Sequence, residues 1–115
     1  MQKNSLNKVL LIGHLGGKPE GRYTQQGQAS ATFSVATNET WKTKEGGAGE
    51  HTEWHHIHAW GKLAEFSTEY LYKGQLVSVE GSLRTRTWED KEGKSHKTTE
   101  VLCSNIIPLE WKKDS

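Results

Sequence analysis

Trp54-His55-His56-Ile57-His58-Ala59-Trp60 is the stretch of this 115-residue chain with the most chemistry to offer. In an extended strand, side chains alternate between faces, so Trp54, His56, His58 and Trp60 share one side and His55, Ile57 and Ala59 the other. The smaller apolar residues suffice for a core face. Two indoles and two imidazoles on the opposite face leave costly apolar area in water unless something binds there. A second group, Arg84-Thr85-Arg86-Thr87-Trp88, sets two guanidiniums on the same side as an indole. Arginine pairs with phosphate and also stacks on bases. In a third group Trp41 is followed by Lys42 and Lys44. Flat aromatic faces beside cations are what a nucleic-acid strand with unstacked bases requires, each stacked base being worth about 1–3 kcal/mol. Each group also has a plainer reading. Trp54 and Trp60 could pack beneath a loop, Arg84–Trp88 could be a solvated outer strand near Glu80, and Trp41 could anchor the loop after it. Trp111 follows the last expected strand; it reads as a cap or a subunit contact and stays outside the site.

The six histidines raise a metal reading. His56-x-His58 on one strand face is a spacing used by zinc hydrolases and lyases, with His51, His55 and His96 as possible company. No motif places a third ligand, so neither metal nor cofactor is expected. A Gly-rich phosphate loop ending in Lys-Ser/Thr is absent, as is a Gly-x-Ser-x-Gly nucleophile. A binding protein is expected, not an enzyme.

The elements that must position these residues follow from the pattern. Only 32% of the chain is hydrophobic, yet it holds five tryptophans. One domain with a small core is expected, stabilised in part by self-association. Residues 6–15 read as a strand with Val9, Leu11, Gly13 and Leu15 on one face. The other face, Leu6, Lys8, Leu10 and Ile12, is also largely apolar and calls for a second cover, most simply another subunit. A polar stretch with Gly16, Gly17, Pro19, Gly21 and Gly27 reads as loop or tight hairpin. Ala31, Phe33, Val35 and Thr37 alternate as a second strand, residues 45–50 form a flexible loop, and a third strand covers about Thr52 to Trp60. Leu63, Phe66, Tyr70 and Leu71 recur at helical spacing, with Gly74 in the usual C-terminal position. Residues 76–88 make a long strand with Val77, Val79, Gly81 and Leu83 facing the core. After a polar turn at 89–94, residues 98–107 return as a fifth strand that Pro108 ends. Five strands with one short helix between the third and fourth is the order of an all-β, five-stranded OB barrel.

Charge and cysteine usage narrow the setting. A net charge of +1 argues against binding a polyanion by bulk charge, although residues 1–44 carry a surplus of four positive charges and residues 45–72 a deficit of four. The lone Cys103 excludes an intramolecular disulfide and a Cys-based zinc site, and its apolar neighbours suggest a buried, inert thiol. Val9–Ile12 is too short for a signal segment or a membrane span, so a cytoplasmic protein without membrane contact is the default.

Several blocks resemble bacterial single-stranded DNA-binding proteins. They are residues 6–20 (LNKVLLIGHLGGKPE), Thr52-Glu53-Trp54-His55, Gly61-Lys62-Leu63-Ala64-Glu65, Glu69-Tyr70-Leu71-Tyr72-Lys73-Gly74, residues 79–88 (VEGSLRTRTW) and Thr98-Thr99-Glu100-Val101. They agree in order and spacing from about Leu6 to Ile106. The resemblance implies an OB fold over residues 1–110, a homotetramer built as a dimer of dimers, and sequence-independent binding and protection of single-stranded DNA in replication, recombination and repair. It implies base stacking on Trp41, Trp54, Trp60 and Trp88, with Trp60 in place of a more usual phenylalanine. It further implies backbone contacts from Lys8, Arg22, Lys42, Lys44, Lys62, Lys73, Arg84 and Arg86. The tetramer-sensitive histidine of the family matches His55, and the first strand, with Leu6, Lys8, Leu10 and Ile12, is the family's subunit contact.

There are departures from the family pattern. His56 stands where a basic residue is usual, so that phosphate contact is expected to be weaker or pH-dependent. Leu76 and Ser78 replace polar or aromatic residues, which bears on the subunit interface more than on the DNA face. Relatives continue into a Gly/Pro/Gln-rich tail with an acidic, hydrophobic tip that recruits replication and repair proteins. With residues 111–115 only a short remnant, tail-mediated partners are not expected. Three other readings remain: an RNA-binding or primosomal OB module, a zinc hydrolase built on His-x-His, and an oligosaccharide-binding OB domain.

Overall fold

Alternating apolar residues drive this chain into strands, and the strands bury their apolar faces by closing on themselves. The computed structural model describes residues 4–111. Along the chain run β1 (Val9–Leu15), β2 (Glu20–Tyr23), β3 (Ala29–Lys42), β4 (Ala48–Trp60), α1 (Lys62–Tyr70), β5 (Leu76–Glu89) and β6 (Ser95–Pro108). The ladder order is β1-β5-β6-β4-β3-β2, and β3 also pairs with β1 at His14↔Ala36 and Leu15↔Val35. That pairing closes β1, β5, β6, β4 and β3 into a five-stranded barrel, with β2 outside it on the edge of β3. The expected all-β OB barrel, with its helix between the third and fourth barrel strands, is the observed architecture.

Val35, Ile57, Ala59, Val77 and Val79 fill the interior at 0–1% exposure. The helix α1 lies across one end, where Ala64 and the following Leu71 are buried and Leu63 and Phe66 pack partly against the core. Ser67 is also buried there, its hydroxyl satisfied by donating to the Leu63 carbonyl at 2.7 Å. No helix among the described residues is long and apolar enough to cross a membrane.

The structure corrects or refines the sequence reading in five places. The stretch read as loop or tight hairpin is in part a hairpin arm, β2, whose four residues are all exposed; an edge strand held by backbone pairing to β3 needs no apolar alternation. The β1 strand starts at Val9, so Leu6 and Lys8 precede it. The loop expected at 45–50 is shorter, because Ala48 already opens β4 and the turn is tied by Thr43 N–H to the Gly47 carbonyl at 3.0 Å. Gly74 does not cap the helix, which stops at Tyr70. Gly74 takes φ 86° inside a turn closed by Gln75 N–H to the Tyr72 carbonyl at 3.2 Å, a backbone conformation that favours glycine. Leu83 has the expected parity yet is 54% exposed, since the β5–β6 ribbon has left the barrel by that point.

A bulge in β6 divides the outer surface. Glu80 pairs with Asn105 and Gly81 with Cys103, which leaves Ser104 without an opposite residue. The buried positions of β6 therefore shift from Val101 and Cys103 to Ile106. Beyond the bulge, Ile12, Ser78 and Ile107 fall in one cross-strand row. Leu10, Ile12 and Ile107 are 66%, 62% and 50% exposed on that face, the apolar second face expected for the first strand.

Candidate nucleic-acid interface

Antiparallel register decides which side chains share a surface. Along β3 and β4 the pairs are Ser30↔Trp60, Thr32↔His58, Ser34↔His56 and Ala36↔Trp54. Arg22 of β2 pairs with Ser30, which extends that row to Arg22, Ser30 and Trp60. Parallel pairing of His58 with Leu102 carries the same face onto β6, and Arg84↔Glu100, Arg86↔Thr98 and Trp88↔His96 carry it onto β5. Residues far apart in sequence thus form one outer face, because the inner residues between them (Ile57, Ala59, Val101) are all committed to the core.

At its centre is a groove of about 600 Å³, lined on one side by Trp54, His56 and Gly16-Gly17-Lys18 and on the other by Arg86, Thr98 and Glu100. Trp54 is 53% exposed. Its ring lies so close to Gly16 that a Cβ there would come within 2.5 Å of it, so a side chain at that position would collide with the indole. Trp60 is half-buried and stacks on His58 with ring centroids 4.5 Å apart and planes 18° apart. Beneath this stack His58 Nε2 and the Ser30 hydroxyl share a hydrogen bond of 2.8 Å. Trp88 stacks on His96 at 4.6 Å and donates its indole N–H to the Thr98 hydroxyl at 2.9 Å, which holds the ring in place on the β5–β6 ribbon.

Trp41 is placed differently. Its ladder partner is Gly49 and its indole covers that glycine, with half of its surface open. Register sets it on the opposite side of the β3–β4 ribbon from Trp54. His55 shares that opposite side, half-buried where the ribbon leaves the barrel and bonded to the Thr37 hydroxyl at 2.9 Å.

The expected cations are also distributed. Arg22, Arg84 and Arg86 are exposed on the tryptophan face, where Arg86 Nε lies 3.7 Å from Glu100. Lys42 and Lys44 occupy the tip of the β3–β4 ribbon. Lys62 opens α1 beside Trp60, and Lys73 sits in the turn whose Gly74 N–H bonds the Leu15 carbonyl at 2.8 Å, next to Gly16. Lys8 lies instead toward the apolar outer face, 3.9 Å from Glu80, away from the groove. Lys18, Thr98 and Glu100 line the groove without having been singled out from sequence. A cation in the Gly-Gly-Lys-Pro loop was a visible signal for Lys18; the other two depended on the β4–β6 register.

Titration and metal chemistry add little at this face. Hydrogen bonding by His51 holds the exposed Glu53 carboxyl below its ordinary value, and His96 does the same for Asp90. Burial pushes the Cys103 thiol up to about 11, in keeping with the inert cysteine expected. No group of three or more His, Cys, Asp or Glu among the described residues is arranged to hold a metal. Trp111 is exposed and meets Tyr70 edge-on at 6.5 Å; Lys112, Lys113 and the rest of the C-terminal remnant lie outside the described residues.

A closed OB barrel whose outer face carries exposed indoles, imidazoles and guanidiniums beside one open groove defines a binding protein for ligands with flat rings. Residues 6–109 match the single-strand binding protein family, and the chain belongs to that family. It is 50% identical to Single-stranded DNA-binding protein 1 of Chlorobaculum tepidum, over 96% of this chain and 68% of the relative. It is 48% identical to Single-stranded DNA-binding protein 1 of Xylella fastidiosa, over 96% of this chain and 82% of that one. Among solved structures, Plasmodium falciparum SSB in complex with ssDNA superposes with a TM-score of 0.84 at 35% identity, covering 96% of this chain and all of the other. A deletion mutant of the single-stranded DNA binding protein from Thermus aquaticus gives 0.79 at 36% identity, covering 91% and 51%.

Proposed function

We propose that the protein binds single-stranded DNA on this outer face, with bases stacked on Trp54, Trp60 and Trp88 and phosphates drawn to Arg22, Lys18, Arg84, Arg86, Lys62 and Lys73. The observation that carries the reading is the register-built face that brings Trp54 and Arg86 to one groove across strands distant in sequence. Stacking and charge act on every base alike, so the affinity from these contacts is general. Trp41, Lys42 and Lys44 extend the path around the tip of the β3–β4 ribbon to its other side. The protein acts by holding the strand, not by catalysis, and serves replication, recombination and repair in the bacterial cytoplasm. Self-association into a tetramer would cover Leu10, Ile12 and Ile107, with Leu6, Lys8 and His55 at or near the contacts.

Titration with oligo-dT should strongly quench tryptophan fluorescence, and affinity should fall with salt at a slope of about -0.7 per phosphate neutralised. Absence of quenching at every oligonucleotide length would refute the proposal. Competition with RNA of matched sequence separates an RNA-binding module, and an oligosaccharide ligand would bind with little salt dependence.

A further inference from the structure

An indole has two flat faces, and what occupies one decides how a base can use the other. The indoles of this protein are supported in two ways. Trp54 lies against Gly16 and Trp41 covers Gly49, and among the described residues no ring is stacked on either. Trp60 and Trp88 instead each carry an imidazole. His58 stacks on Trp60 at 4.5 Å with planes 18° apart, and His96 on Trp88 at 4.6 Å and 23°.

Neither imidazole is loose. His96 Nε2 bonds Asp90 Oδ2 at 2.7 Å, and the Glu92 and Lys94 backbone N–H groups fix the other oxygen of that carboxylate at 2.9 and 3.0 Å. Against an ionised carboxylate the ring nitrogen is the donor. His58 Nε2 shares its 2.8 Å bond with the Ser30 hydroxyl of β3, while Glu100 Oε1 of β6 stands 3.6 Å from Nδ1. Each stack is thus secured by a side chain from outside the strand that carries the imidazole. On the other side of the second stack, the Trp88 indole N–H is held by the Thr98 hydroxyl at 2.9 Å.

A base that reaches Trp60 or Trp88 can take the face left open or the face that the imidazole holds. Taking the held face breaks an anchoring hydrogen bond, which costs on the order of fivefold in affinity. The open face carries no such cost. An indole already fixed by a stacked ring also loses little rotamer freedom when the base arrives, a gain of about two- to tenfold in Kd.

We propose that His58 and His96 are positioning residues for DNA binding: each holds one face of its indole, so that a base stacks on the opposite face and imidazole, indole and base lie in layers. The inference rests on the base-stacking reading above and deepens it at Trp60 and Trp88. It applies to every base alike, since what is held is the indole.

The test is a double-mutant cycle on the β5–β6 ribbon, where the His96 side chain is 43% exposed and its removal opens no core. His96→Ala should weaken oligo-dT binding about two- to tenfold. In a Trp88→Ala background the same substitution should change affinity by less than about twofold, because its effect passes through the indole. Unchanged affinity in His96→Ala overturns the inference. So does an equal loss in both backgrounds, which would make His96 a DNA contact in its own right. A second arm uses the unaltered protein with histidine-selective isotope labelling at about pH 8, above the ordinary imidazole range. The indole ring current should displace the His58 and His96 Hε1 resonances upfield, and the displacement should persist at saturating oligo-dT. Its loss on binding overturns the inference, since the imidazole would then be a stand-in that the base expels. If Trp88→Ala alone binds oligo-dT as tightly as the unaltered protein, the base-stacking reading itself falls at that residue, a result distinct from an unchanged His96→Ala.

Discussion

Trp54→Ala should weaken binding far more than it weakens the fold. The indole is 53% exposed and lies against Gly16, with Ala36 as its ladder partner. A fully buried tryptophan costs about 3–5 kcal/mol when cut to alanine. With about half of the ring already in water and no core cavity opened, the loss here should be about 1–2 kcal/mol. For a domain of this size that lowers the melting temperature by roughly 4–10 °C. A base that loses its stacking partner forfeits about 1–3 kcal/mol, or about 5- to 150-fold in Kd. The assay is an oligo-dT titration followed by the fluorescence of the remaining tryptophans, with melting temperature and assembly mass measured in the same buffer. Trp60→Ala is the internal comparison. That ring is half-buried and stacked on His58, so its loss should register in both stability and binding. The reasoning is refuted if Trp54→Ala binds oligo-dT with unchanged affinity, or if it dissociates or unfolds the protein.

Two further outcomes follow from other parts of the molecule. Ile12→Asp introduces a charge into the row Ile12, Ser78 and Ile107; with two symmetric copies, subunit pairing should weaken at least about a hundredfold while the circular dichroism of the chain is preserved. Sedimentation that shows the same assembly at micromolar protein would contradict a subunit contact on that face. The Asp90 carboxyl is held below its ordinary 3.8 first by the hydrogen bond from His96, then by the Lys94 backbone N–H. A depressed folded value adds stability above the unfolded pKa and loses it as pH falls through the folded pKa, so the β5–β6 tip should loosen only below about pH 4. His96→Ala should raise the Asp90 pKa toward 3.8, read by carboxyl NMR titration; an unchanged value would mean that the imidazole is not the cause.

The β4 strand shows how far sequence periodicity reaches. Alternation from Trp54 to Trp60 separates residues meant for water or ligand from those meant for the core, because a strand inverts its side chains at every step. Ile57 and Ala59 are buried and Trp54 and His56 are exposed, as that alternation requires. Leu10 and Ile12 were legible in the same way, as apolar residues with no place inside. The β2 strand was not, since Glu20-Gly21-Arg22-Tyr23 is ordered by backbone hydrogen bonds to β3 rather than by burial. Leu83 followed the period correctly but lay past the end of the barrel, and no local pattern marks where a ribbon leaves its core.

Sequence alone determined the class of the fold, the parity of the barrel strands before the last and the aromatic and cationic residues available for binding. These are local properties, written in neighbours two or four residues apart. Which of those residues meet was decided only by tertiary structure. The parallel pairing of Ile57 with Val101 brings Glu100 and Thr98 to the groove of Trp54, and the hairpin register of Trp41 with Gly49 sends that indole to the other side. The bulge at Ser104 turns Ile107 toward Leu10 and Ile12. Register and closure are set by the packing of the whole barrel, and a shift of one residue in any ladder would exchange every inward side chain for an outward one.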